Sequence, residues 1–253
     1  MWHRRWLLSR RAAPPRWHSD GTHKARAHFV LGKIHIVYDW DWAAAEREFK
    51  EAATLAPGSV DPLSGAAFLS MALGRWDDGV RQSKAALVLD PLDANSFEAL
   101  GTIQWGLGHL TESEVALRRT LDIRPTYVWG HYYLGRLLLA RGDHAAAALE
   151  MQHETTDEGR QAGLAMVYFA LGRKADSDAA LARMIEQHSN EYAFYIAEVY
   201  AFRGRPDEFM HWLERAYAQK DPYLVYLKVE LPDKSLASDP RYKAFLKKMN
   251  LPE

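Results

Sequence analysis

The chain has 253 residues, 48% of them hydrophobic, a formal net charge of −1 and no cysteine. Near-neutral charge removes any global drive toward nucleic acid or an anionic membrane. The missing cysteines remove disulfides, Cys-based zinc sites and thiol catalysis together. No apolar run approaches the roughly 18 residues that a membrane-spanning helix needs, so a cytoplasmic protein bound to neither membrane nor nucleic acid is the expectation.

Residues 1–24 differ from the rest. Arg4, Arg5, Arg10, Arg11 and Arg16 come before the first acid, and Pro14-Pro15 breaks any helix. This composition reads as a disordered basic extension. An organelle-targeting peptide and a start codon placed upstream of the natural one are the alternatives.

From residue 25 to 221 a period takes over. Pro57, Pro91 and Pro125 stand 34 residues apart, each closing a helical stretch with apolar periodicity. A fixed period in this range marks stacked helical repeats, and 34 is the length of the tetratricopeptide repeat (TPR). The chain resembles that family over six units, beginning near 26, 60, 94, 128, 158 and 190. The resemblance implies an all-α, right-handed α-solenoid of helix pairs A and B. Small residues fall where A crosses B: Gly32, Ala67, Gly101, Gly135, Ala165 and Ala197 on A, and Ala45, Gly79, Ser113, Ala147 and Ser177 on B, with Phe209 the exception. Gly in the turns LGRWDD, ARGDH, LGRKAD and FRGRPD supplies a left-handed C-cap before helix B. Two irregularities stand out. Unit one needs one inserted residue before Trp42, and unit four carries Glu154 where a small residue belongs.

Residues 222–253 read as a capping segment and helix. Asp239 and Pro240 suit a helix start, and Tyr242, Phe245, Leu246 and Met249 form one apolar stripe. The stretch YLVYLKVEL before it has strand composition, but a lone strand would leave an unpaired edge. A short helix or extended segment packed on unit six is predicted instead. The segments Tyr38–Phe49, Leu89–Gly101 and Ala216–Val229, with the SDPRYKAFLKKMNLP tail, look like bacterial TPR regions that follow a winged-helix, nucleotide cyclase or serine/threonine kinase module. That resemblance implies a regulatory or scaffolding part.

Catalytic signatures are weak. HETTD at His153–Asp157 resembles half of a zincin helix, but the second His one turn on is missing. Gly101, Gly106 and Gly108 are followed by no GK[ST], and no G-x-S-x-G elbow occurs. No enzyme, cofactor or metal is expected. In the TPR family the A helices line a concave groove. The resemblance places Asp61, Ser64, Phe68 and Met71 there, followed by Asn95, Glu98, Thr102 and Trp105. Trp129, Tyr132 and Arg136 come next, then Phe169, Phe194 and Glu198. Trp105, Trp129, Tyr132 and Arg136 have the makeup of an interface hot spot. Glu98 and Glu198 stand where chaperone-binding repeats carry cations, which argues against an acidic C-terminal peptide. The expected function is a non-catalytic protein-interaction scaffold that binds a partner peptide in the groove. The alternative is the regulatory fragment of a bacterial signalling enzyme or transcription regulator.

Overall fold

The computed structural model describes residues 21–229 and 236–252. The arginine-rich segment 1–20 lies outside them. The first helix begins at Gly21, four residues before the solenoid start expected from sequence.

Six antiparallel helix pairs follow in order: α1 Gly21–Ile34 with α2 Trp42–Leu55, α3 Val60–Ala72 with α4 Trp76–Leu89, α5 Ala94–Gly106 with α6 Leu110–Ile123, α7 Gly130–Ala140 with α8 His144–His153, α9 Asp157–Ala170 with α10 Lys174–His188, and α11 Ala193–Phe202 with α12 Pro206–Gln219. A last helix, α13, spans Pro240–Lys248. No strand occurs among the described residues, and none of their helices is long and apolar enough to cross a membrane.

Local chemistry sets the helix ends. The carboxylates of Asp41, Asp93 and Asp143 accept from the N–H groups of Ala44, Ser96 and Ala146, which the first turn would otherwise leave unpaired. Before the repeat prolines, Asp90 and Arg124 swing to φ −135°. The next residue's ring forbids them the α region, so α4 and α6 stop there. The A–B turns of units two to six each hold one glycine in the left-handed region, from Gly204 at +66° to Gly142 at +80°. Unit one does otherwise. His35–Asp39 forms a π-helical turn, and Trp40 takes the left-handed position at φ +53°. A π turn is how a helix absorbs one extra residue, which is the insertion the repeat register requires before Trp42.

The A–B crossings explain the small residues. A Cβ on Gly32 would lie 2.6 Å from the Phe49 ring. On Gly101 it would lie 2.8 Å from Leu117, and on Gly135 2.8 Å from Met151. The three large partners occupy the same place in the B helices of units one, three and four, so one packing rule serves three units. Glu154, the exception in unit four, is almost fully buried. Its carboxylate accepts from the N–H of Tyr132 at 3.0 Å and of Thr156 at 2.9 Å. A polar residue fits because its carboxylate accepts from backbone donors at two helix starts.

The solenoid curls until its ends meet. Trp40 lies 4.8 Å from the Tyr217 ring, with the Lys220 ammonium 4.1 Å above the Trp40 ring. The Trp42 indole donates to the Met249 carbonyl at 3.0 Å. Helix α13 packs on α12 through Tyr242 on Phe209 and Phe245 on Tyr217, and the Tyr242, Phe245, Leu246 and Met249 stripe is buried. The segment before it does not stay on unit six. Pro222–Tyr226 is a 3-10 turn that reaches back to units two, three and four.

Candidate interaction groove

Successive A helices touch one another, so they form the inner, shorter side of the curve. The chain's own tail fills the C-terminal half of that side. Tyr223 packs against Trp129 at 5.4 Å, Tyr195 at 4.9 Å and Tyr192 at 5.6 Å. Leu224 and Val225 are fully buried. Tyr226 wedges between Phe68 of α3 and Tyr133 of α7, 5.7 Å from each. Val229 reaches Met71 and Ile103. Asp221 anchors the entry, accepting from the N–H of Phe194 at 2.9 Å and of Tyr223 at 3.0 Å. Burial raises its carboxyl to about 6 despite those bonds.

This filling corrects the expected hot spot. Trp129, Tyr132, Arg136, Phe194 and Glu198 are all buried and offer no free surface. Trp129 stacks on Tyr195 at 3.9 Å. Beneath it, the Arg136 guanidinium meets Glu198 at 3.1 Å. The Tyr132 hydroxyl donates to the same carboxylate at 2.8 Å and accepts from Arg136 at 3.0 Å. Arg136 also lies 5.3 Å from the ring of Trp105, which stays half-buried. The physical reason is closure: a tail rich in aromatics covers a face rich in aromatics, and the cation at its centre is paired internally. Phe169 stays exposed beside Phe202 and Arg203, apart from the other groove residues.

The N-terminal half stays open. A cavity of about 450 Å³ is bounded by Phe29 and Lys33 of α1, Asp61, Ser64 and Phe68 of α3, Asp90, Asp93, Asn95 and Glu98 around the start of α5, Tyr127, and Tyr226 of the tail. Four carboxylates face one ammonium. Asp61 sits in the first turn of α3, and Asp93 caps α5. The Tyr127 hydroxyl donates to Asn95 at 3.1 Å. Glu98 lies at the floor, accepting from the Thr102 hydroxyl at 2.9 Å. Thr102 itself is buried. Burial pushes the Glu98 carboxyl up to about 7, against the Thr102 bond and the pull of Lys33. Such a group takes up negative charge when a cation arrives. Of the residues expected from sequence, the cavity joins Asn95 and Glu98 with Asp61, Ser64 and Phe68. Asp90, Asp93 and Tyr127 come from the loops between units, which the A-helix pattern does not sample.

Residues 163–224 match the tetratricopeptide repeat family, and no curated protein matches the chain. Solved TPR structures share the fold. A thermophilic TPR protein of Thermus thermophilus superposes with a TM-score of 0.55 at 17% identity, over 78% of this chain and 97% of that one. Pseudomonas aeruginosa pilF gives 0.58 at 13%, over 90% and 99%. The Cut9–Hcn1 hetero-tetramer of the APC/C gives 0.60 at 16%, over 89% of this chain and 42% of that one. At these identities the likeness is one of fold: a TPR α-solenoid.

Proposed function

We propose that the protein is a non-catalytic interaction scaffold whose open half-groove binds a partner segment carrying a basic side chain beside an apolar or aromatic one. The carrying observation is the charge of the 450 Å³ cavity: Asp61, Asp90, Asp93 and Glu98 against Lys33, with Phe29, Phe68, Tyr127 and Tyr226 as walls. Carboxylates in a partly desolvated pocket favour a cation, and aromatic walls add both apolar area and cation–π attraction. The tail gives a precedent within the molecule, since Pro222–Tyr226 already sits on the same face through aromatic anchors. A place beside a signalling module is the second reading. It rests on the resemblance of Ala216–Val229 and the following tail to such TPR regions, and that tail is the segment that closes the groove.

Selection of displayed peptides on the full chain tests the first reading. Enriched peptides should carry Lys or Arg next to an apolar residue. Asp61→Asn with Glu98→Gln should weaken them tenfold or more, at a melt no lower than that of the native chain. Binding should tighten from pH 6 to pH 8, because the bound cation favours ionised Glu98. Enrichment of acidic peptides, or binding indifferent to the double substitution, would refute it.

A further inference from the structure

We infer that unit four carries a binding site for a divalent transition metal ion, with zinc as the best fit, formed by His131, Glu150 and His153. The three come from facing ends of one helix pair. His131 opens α7, while Glu150 and His153 stand three residues apart in the last turn of α8. One ligand atom from each lies within 4.8 Å of the other two. Imidazole and carboxylate are a usual donor set for zinc, at about 2.0–2.2 Å each.

The three side chains already converge. His131 Nδ1 lies 2.7 Å from Glu150 Oε2, and His153 faces His131 with ring centroids 5.6 Å apart. A metal ion would use the lone pairs of both rings and the charge of Glu150. With the ion on Nδ1, the hydrogen of His131 sits on Nε2, 3.3 Å from the Pro125 carbonyl that can accept it. A backbone carbonyl accepting from the far nitrogen of a ligating His is also the usual outer arrangement of metal sites, fixing tautomer and ring plane. Seating zinc asks Nδ1 and Oε2 to part to about 3.4 Å, the edge of a tetrahedron at these bond lengths, and the exposed His153 to close in within a donor set that spans up to 4.8 Å.

The molecule carries its own control. Unit one repeats the pair in the same register, with His28 Nδ1 2.6 Å from Glu48 Oε2. There Glu51 takes the place of His153. A metal site should form in unit four and not in unit one.

Equilibrium dialysis of the full, untagged chain against Zn2+, with Co2+ as a spectroscopic probe, tests this. One equivalent should bind, and zinc in hundredfold excess over its Kd should raise the melt by about 5 °C. His131→Gln, Glu150→Gln and His153→Ala should each weaken binding about tenfold or more, while His28→Gln should leave it unchanged. His153 is exposed, so its replacement leaves the fold intact. Absence of stoichiometric binding, or binding that survives His153→Ala, would overturn the inference and leave His131–Glu150 as an ion pair only.

Discussion

The two halves of the concave face use the same scaffold to opposite ends. In the C-terminal half, aromatic A-helix positions meet an aromatic tail and become core: Trp129, Tyr132, Tyr133 and Tyr195 are all nearly inaccessible. In the N-terminal half the corresponding surface is acidic, and Phe68 and Tyr226 mark the border. A TPR groove is therefore not a site by position alone. Whether an inward residue binds or packs depends on what the chain lays over it, and that is a property of a segment far away in sequence.

The largest effect that separates the halves is truncation after Asp221. It uncovers Trp129, Tyr133, Tyr195, Phe68 and the α12 face under α13. A solenoid that loses a terminal cover of this size exposes its core, so the truncated chain should aggregate or lose a cooperative melt. A truncated chain that melts like the full one would make the tail an ornament. Next is Arg136→Ala, which leaves Glu198 buried without its cation. That should cost about 3–5 kcal/mol, read by urea denaturation. Asn95→Ala in the open half should stay within about 0.5 kcal/mol. Equal effects at the two sites would erase the distinction. Gly101→Leu should cost about 1–3 kcal/mol or more, since even its Cβ would stand 2.8 Å from Leu117.

A further effect is in pH. Glu98 keeps its proton in the fold up to about 7, against an ordinary value of 4.5. Between those values the unfolded chain loses a proton that the folded chain retains. Stability contributed by this group is thus complete below about 4.5 and falls as pH rises through 7, by on the order of 3 kcal/mol. Asp221, raised to about 6 from 3.8, adds a slope of the same sign at lower pH. Glu98→Gln should remove the upper part of the slope, giving a smaller stability difference between pH 5 and pH 8. A slope unchanged by the substitution would place its origin elsewhere.

Much of this architecture is legible in sequence because it is local and repeated. Proline spacing, aspartate caps, turn glycines and the small residues at A–B crossings each act within one unit, so six copies reinforce the reading. Even the unit-one insertion is visible as a one-residue phase slip, which the chain absorbs as a π turn. The groove is not legible in the same way. Tyr132 and Arg136 occupy inward positions, yet their exposure is decided by Tyr223 and its neighbours about ninety residues later. Neither period nor propensity encodes a contact of that range. Asp90, Asp93 and Tyr127 enter the cavity from inter-unit loops for the same reason. His153 shows a third kind of miss: it draws notice through HETTD, while the geometry pairs it with Glu150 one turn earlier and with His131 on the facing helix.

Occupation of the groove by the tail is the claim on which these contrasts depend, and the absence of native cysteine makes it directly measurable. A single Val225→Cys places a thiol where the native side chain is 1% exposed, inside the groove. Under native conditions that thiol should react with a disulfide reagent at least a hundredfold more slowly than the same chain in urea. Native reaction as fast as that of the unfolded chain would show the tail free and the C-terminal half of the groove open.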